Sequence, residues 1–272
     1  MVTGLMEATV ERTRRTWTSG AWAVDTDVLV REEPLEIRVG SAPVAVVMRT
    51  PGHDEDLVRG FLRTERIVSS DAEIRSVRHC DVVDAPESEG NVALARLQPH
   101  VHFDLARFRR NMFASSSCGI CGKATVEQAL DVASPFADPP HVSVPRMLAW
   151  LDAMRTEQEL FEQTGGLHAA AAFDDADELV AVREDVGRHN AVDKVVGVVG
   201  DRPVAGLAVS GRVSFEIVQK ALAARIPAIV AVSAPSSLAV SLAEASNMTL
   251  VAFARGERAA VYSGVDARGS AA

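Results

Sequence analysis

Two cysteines three residues apart are the sharpest chemical feature of the chain. They lie in Ser115-Ser116-Ser117-Cys118-Gly119-Ile120-Cys121-Gly122-Lys123. Cysteines at this spacing commonly carry a lowered thiol pKa, and a following helix N-terminus with Lys123 lowers it further. Gly119 and Gly122 let the backbone bend, and three serines point to a solvated loop. A nucleophilic thiolate that must meet two partners needs such a setting. A zinc knuckle needs two more ligands, and no second pair exists; His79 and Cys80 could supply them only if the fold brought them close. A thioredoxin-like redox site expects the pair just after a strand in a βαβ setting. Cys80, in an expected strand, reads as an ordinary buried thiol.

Two further segments concentrate polar groups. Gln163 to Ala171 sets His168 after two glycines, and Arg183 to Lys194 packs charge, glycine and histidine into a turn that opens a helix. His168, Asp185, Arg188 and His189 are expensive to bury together without a purpose, and could orient a cofactor or move protons.

The elements that must position these groups are clearest in the last third. Val204–Val209, Ala228–Val232 and Thr249–Phe253 read as buried strands, with helices over 213–225 and 238–246 between them. Strand, helix, strand, helix, strand with short connections implies right-handed crossovers and a parallel sheet. Ligands of such sheets sit at the carboxyl edge. The turns there carry Ser210, Gly211 and Arg212, then Ser233, Ser236 and Ser237, then Arg255, Gly256 and Arg258. Hydroxyls, free amides and guanidinium groups suit a phosphate. Any one such turn is more simply a helix cap, but three converging on one edge read as a nucleotide site.

Upstream, Leu35, Ile37 and Val39 alternate, Gly40-Ser41 interrupts, and Val44 to Met48 is apolar, which predicts a hairpin. Asp54-Glu55-Asp56 opens a helix through Leu62. Strands are expected at 74–83 and 92–97, a short helix at 124–130, and one amphipathic helix over Pro145–Gln163. The first residues read as a loose tail. The expected division is a flexible tail over 1–25, a small α+β, roll-like unit over 26–112, and an α/β unit over 113–272 with the cysteine loop and the cofactor site.

The 272 residues are 47% hydrophobic and 24% charged, ordinary for a folded protein. A formal charge of -9 and a pI near 5.3 argue against a broad duplex-binding face. No run approaches a membrane span, and no leader pattern opens the chain. Three cysteines, an odd number at low density, do not suggest a disulfide scaffold, so a reducing cytoplasm is the expected home.

Five segments run in one order: Ser117–Lys123, Thr164–Ala171, Glu184–Lys194, Ser210–Lys220 and Ala231–Val240. Together they resemble the formate dehydrogenase accessory sulfurtransferases of the FdhD/NarQ family, from about Glu32 to Tyr262. The resemblance implies a carrier that takes persulfide sulfur from a cysteine desulfurase and passes it to the molybdenum of the bis(molybdopterin guanine dinucleotide) cofactor before formate dehydrogenase receives that cofactor. It places the persulfide on Cys118 with Cys121 as its partner, and cofactor binding on Phe253, Ala254, Arg255, Gly256, Glu257 and Arg258, with GDP as a surrogate ligand. It further implies a cytidine deaminase-like three-layer fold without that fold's zinc ligands, and a homodimer. A chaperone that only binds and delivers the cofactor is the alternative. The family usually has Thr-Glu-Gly-Ile-Ile where this chain has Thr64-Glu65-Arg66-Ile67-Val68, and Glu257 lowers the positive charge of the binding segment.

Overall fold

The computed structural model describes residues 8–80, 89–101, 134–138 and 142–264. Cys118, Cys121, the short helix expected at 124–130 and the expected 112/113 boundary lie outside them. Where a loose tail was expected, Thr9–Thr18 (β1) and Ala21–Val30 (β2) form an antiparallel ribbon. The polar composition concealed it, because its cross-strand partners are largely threonines and charged pairs.

The predicted hairpin is present as Glu33–Val39 (β3) and Ala42–Arg49 (β4), turning at Gly40-Ser41. Helix α1 follows at Asp54–Thr64, then strands β5 (Ile74–His79) and β6 (Val92–Leu97). The sheet order is β4-β3-β6-β5. Leu35, Ile37, Val44 and Ala95 pack against Leu57, Val58 and Leu62 of α1. The helix ends in a left-handed residue, Arg66, with Ile67 N–H donating to the Leu62 carbonyl at 2.9 Å. Glycine suits that position, and a side chain there costs about 1 kcal/mol, which accounts for the glycine the family usually carries.

The amphipathic stretch expected as one helix is two, α2 (Val144–Thr156) and α3 (Glu159–Thr164). Glu184 makes the break: its carboxylate accepts the Leu160 and Phe161 N–H groups at 2.9 and 2.8 Å. The cap comes from far along the chain, so apolar spacing gave no sign of it. The remaining elements are β7 (His168–Phe173), β8 (Leu179–Asp185), α4 (Arg188–Val199), β9 (Gly206–Val209), α5 (Phe215–Ala223), β10 (Ala228–Ala231), α6 (Ser237–Ala245), β11 (Thr249–Arg255) and β12 (Arg258–Ser263). Strand β7 is an alanine run buried on both sides, so no alternation marked it.

These strands form one sheet of order β12-β11-β10-β9-β7-β8. As expected, β9, β10 and β11 are parallel. Leu207, Ile229 and Leu250 face α4, α5 and α6 on one side of the sheet. Ala208, Val230 and Val251 face Met147, Trp150 and Met154 of α2 on the other. The fold is therefore mixed α/β, with a six-stranded sheet between helices. No helix among the described residues is long and apolar enough to cross a membrane.

Helices α1 and α4 clamp the two sheets together through glycines. A Cβ on Gly60 would lie 1.7 Å from the Asp193 carbonyl oxygen, and one on Gly197 would lie 1.9 Å from that of Asp56. Neither backbone carbonyl can swing aside. Gly60→Ala and Gly197→Ala are each expected to destabilise the protein by about 1–3 kcal/mol, despite a helix-propensity gain of about 1 kcal/mol. Urea unfolding checks this, and an unchanged midpoint in both variants would refute the clamp.

Candidate functional site

Strand direction brings the polar turns together. Strands β9, β10 and β11 end at one edge. Because β7 runs antiparallel to β9, its first residue, His168, comes to that edge too. Strand β8 runs antiparallel to β7, so its last residue, Asp185, lies opposite His168, and α4 starts there with Arg188 and His189. His168, Arg188, His189, Ser210, Gly211 and Arg212 thus share one rim.

The packing within this group is close. A Cβ on Gly211 would lie 3.2 Å from His168 Nδ1 and 3.5 Å from Arg188 Cβ, so glycine lets the turn after β9 lie against both side chains. Ser210 Oγ accepts the Ala169 N–H at 2.9 Å, tying that turn to β7. Burial pushes the His168 pKa down, and the nearby Arg188, Arg212 and His189 lower it further. The ring is therefore neutral at neutral pH. Arg188 Nε is buried without a hydrogen-bond partner among the described residues, and Arg212 is exposed.

His189 Nε2 lies 2.6 Å from Glu216 Oε2 and 3.4 Å from Ser214 Oγ. At that separation from a carboxylate, Nε2–H donates to Glu216. Glu216 was passed over in the sequence. Its signal was its place in the first turn of a helix whose opening residues were already suspect.

No described side chain caps the first turn of α4 or α5. By contrast, α6 is capped by Ser236 Oγ, which accepts the Ala239 N–H at 3.2 Å, so for Ser236 the simpler capping reading holds. Two open helix N-termini beside Arg188 and Arg212 can hold an anion such as a phosphate.

Asp185 belongs to the scaffold rather than to the reactive rim. It is fully buried and accepts from Thr50 N–H at 3.1 Å, Gly187 N–H at 2.8 Å and Asn190 Nδ2 at 3.0 Å, with Lys194 Nζ at 2.8 Å. Asn190 also donates to the Met48 carbonyl at 2.7 Å, and Lys194 to that of Thr50 at 2.9 Å. Asp193 pairs with Lys220 at 2.8 Å. Most of the charged 183–194 segment therefore locks the small sheet to α4, which leaves Arg188 and His189 facing the rim.

Within Phe253–Arg258 the turn expected after the third parallel strand is a hairpin turn at Gly256-Glu257, which joins β11 to the antiparallel β12. Gly256 takes φ 57°, as such a turn requires. Arg255, Gly256, Glu257 and Arg258 are exposed, whereas Ala254 is buried in the core under α2, so its side chain is no contact residue. Phe253 is 53% exposed at φ 50°, and its N–H donates to the Ser233 carbonyl at 3.2 Å. Val232 and Leu238 are exposed on the neighbouring turn. In the sheet, β11 and β9, whose ends carry Phe253 and Ser210, are separated by β10 alone. His79, weighed earlier as a metal ligand, sits 3.3 Å from Asp54 instead, and Cys80 is half-buried just past β5.

A model of the FdhD/NarQ family matches residues 30–268. The sulfur carrier protein FdhD of Streptomyces coelicolor is 48% identical over 257 residues, covering 91% of each chain. That of Mycobacterium tuberculosis is 47% identical over 251 residues, covering 88% of this chain and 91% of the relative. That of Anaeromyxobacter dehalogenans strain 2CP-1 is 44% identical over 250 residues, covering 87% and 86%. In fold, the chain is similar to a crystal structure from Desulfotalea psychrophila described as a formate dehydrogenase accessory protein. The TM-score is 0.74 at 22% identity, with 95% and 98% of the two chains covered.

The crowding of His168 has a measurable consequence. Its titration midpoint is expected below that of a free histidine. In Arg188→Ala, which removes a neighbouring positive charge, it should move up. NMR titration of the imidazole signals tests both, and a midpoint at or above the free value would refute the arrangement.

Proposed function

We propose a function from the fact that this chain belongs to the FdhD/NarQ family. The protein carries sulfur for the maturation of a formate dehydrogenase, as the names of its relatives describe. Cys118 accepts the sulfur. Its thiolate attacks the terminal sulfur of a desulfurase persulfide, the donor S–S bond breaks, and the donor cysteine leaves as a thiolate. Cys118 is left as a persulfide, with Cys121 beside it in sequence. Attack of the Cys121 thiolate on the inner sulfur of Cys118 then breaks the persulfide S–S bond, leaves a Cys118–Cys121 disulfide and releases the outer sulfur as sulfide to the molybdenum of the bis(molybdopterin guanine dinucleotide) substrate, which makes the protein a sulfurtransferase. A homodimer working in the cytoplasm with a cysteine desulfurase and a formate dehydrogenase completes the reading.

The observation that carries the binding half is the rim itself. Arg188, whose buried Nε has no partner among the described residues, Arg212 and two helix N-termini that no described side chain caps suit a pyrophosphate. Phe253, Val232 and Leu238 are exposed apolar side chains that suit a base. His168 and the Glu216-held His189 sit at the same rim and can donate or accept protons there. The strand order β8-β7-β9-β10-β11, with β7 antiparallel to β9, supports a cytidine deaminase-like description of the larger unit. A boundary between the two units near residue 112 is part of the same proposal. A chaperone that only binds and delivers the cofactor is the second reading.

Two measurements test these halves. After incubation with a desulfurase and cysteine, intact mass should show added sulfur that Cys118→Ala abolishes, together with formate dehydrogenase activation. Activation surviving in Cys118→Ala would favour the chaperone. GDP affinity should fall roughly tenfold or more in Arg188→Ala, as expected for a lost charged hydrogen bond, and should also fall in Arg255→Ala and Arg258→Ala. Unchanged affinity in all three would remove the rim from the cofactor site.

A further inference from the structure

Helices α4 and α5 pack on the same face of the large sheet, and both begin at the rim. Two polar rungs join them. His189 and Asp193 are four residues apart on α4, and Glu216 and Lys220 are four residues apart on α5, so each pair projects from one side of its helix. The inner rung is Asp193 with Lys220 at 2.8 Å, and it also takes in the Thr64 hydroxyl of α1. The outer rung, one turn nearer the rim, is His189 with Glu216 at 2.6 Å. Glu216 is only 7% exposed although it stands in the first turn of its helix, so its carboxylate is turned inward to the imidazole rather than out to water.

Ser214 shows what the outer rung does to the helix end. Ser214 is the N-cap residue of α5 and Ser236 that of α6. Their backbones are nearly the same, with φ -86° and ψ 169° for Ser214 and φ -85° and ψ 157° for Ser236. Ser236 turns its hydroxyl onto its own helix, where it accepts the Ala239 N–H. A serine at this position ordinarily does so. Ser214 makes no such bond, and its Oγ lies 3.4 Å from His189 Nε2 instead. The imidazole thus stands beside both polar side chains that could serve the first turn of α5, the serine and the carboxylate.

We infer that Glu216 is a positioning residue of the anion rim: through His189 it fixes the first turn of α5 against that of α4, and it keeps the Ser214 hydroxyl off the amides of α5. The inference rests on the anion reading of the rim proposed above and deepens it. An anion bound between two helix N-termini needs both held in one relative position. The inner rung sets the two helices one turn deeper and leaves their ends able to splay. The outer rung removes that freedom, because a short bond to a carboxylate is strong and directional. By charge alone a carboxylate beside an anion site works against the anion. Position, and not charge, is then what Glu216 contributes.

That contrast gives the test its sign. Calorimetric titration with GDP and thermal unfolding would compare the natural full-length chain with Glu216→Gln, Glu216→Asp and Glu216→Ala. Glu216→Gln removes the charge and keeps an acceptor oxygen at the same reach, so GDP should bind at least as tightly as to the natural chain. Glu216→Asp keeps the charge and falls one methylene short, and Glu216→Ala removes charge and acceptor together. Each of these two should weaken GDP binding roughly tenfold, the scale on which a partner that orients a binding group acts. In NMR spectra the His189 Nε2–H signal should persist in Glu216→Gln and exchange away in the other two. Should Glu216→Ala fail to fold, the contrast between the Asp and Gln variants decides. Affinity unchanged or raised in Glu216→Asp and Glu216→Ala would overturn the inference and leave the anion site standing. So would a loss in Glu216→Gln as large as in Glu216→Asp. A natural chain that does not bind GDP, or binding indifferent to Arg188→Ala, Arg255→Ala and Arg258→Ala, would overturn the reading of the rim and this inference with it.

Discussion

The buried Asp185–Lys194 pair is the constraint on which the arrangement of the molecule depends. Both side chains are essentially removed from solvent. Taking two charges out of water is costly, and such a pair survives only when its remaining hydrogen-bonding capacity is met. Here part of it is met by the other half of the protein. The Thr50 N–H and carbonyl, at the end of β4, bind the carboxylate and the ammonium respectively. The pair is therefore satisfied only when the small sheet is docked. The same carboxylate holds Gly187 and Asn190, the residues that launch α4. Docking of the small sheet and orientation of Arg188 and His189 are one event, because one carboxylate serves both.

A second buried charge pair repeats this logic further along α4. Lys220 of α5 meets Asp193 of α4 and the Thr64 hydroxyl of α1, with Glu65 at 3.3 Å. Burial works against the Lys220 ammonium, but Asp193 and Glu65 outweigh it and keep its pKa raised. Three helices are thereby joined by one ammonium at the place where Gly60 and Gly197 let α1 and α4 touch backbone to backbone. Apolar side chains alone would allow the helices to slide. Directional charged hydrogen bonds at two points along α4 fix both its rotation and its register, and with them the position of its N-terminus at the rim.

How far the sequence revealed this follows from the range of each interaction. The β9–β11 parallel strands and their helices were legible, because buried strands and amphipathic helices announce themselves within a few residues. The convergence of three turns on one edge followed from topology alone. What stayed hidden depends on distant partners. Glu184 splits a continuous amphipathic pattern from more than twenty residues away. Asp185 looks reactive in the chain and is structural in the fold, because Thr50, 135 residues away, joins three partners from the start of α4 in holding it. Ala254 sits inside the segment expected to bind yet packs under α2, on the face opposite Ala252, because the irregularity at Phe253 interrupts the alternation of β11. The ribbon at 9–30 was missed for the opposite reason: its pairing is local, but its surface is polar enough to read as tail.

These misreadings share a cause that bears on the site itself. Charge density in a sequence marks places where desolvation must be compensated, and it does not distinguish compensation by protein from compensation by ligand. The distinction is made by counting partners. Asp185, Asp193, Lys194 and Lys220 have theirs supplied by backbone and neighbouring side chains, so their charge is spent on holding the fold. Arg188 Nε has none among the described residues, and Arg212 extends into solvent beside it. The fold thus neutralises the charges along the inner part of α4 and leaves positive charge uncompensated at the helix's first turn. The backbone amides there add a positive partial charge of the same sense. Such groups suit an anion, and under the function proposed above the residues that bring the small sheet into place also present the rim to it.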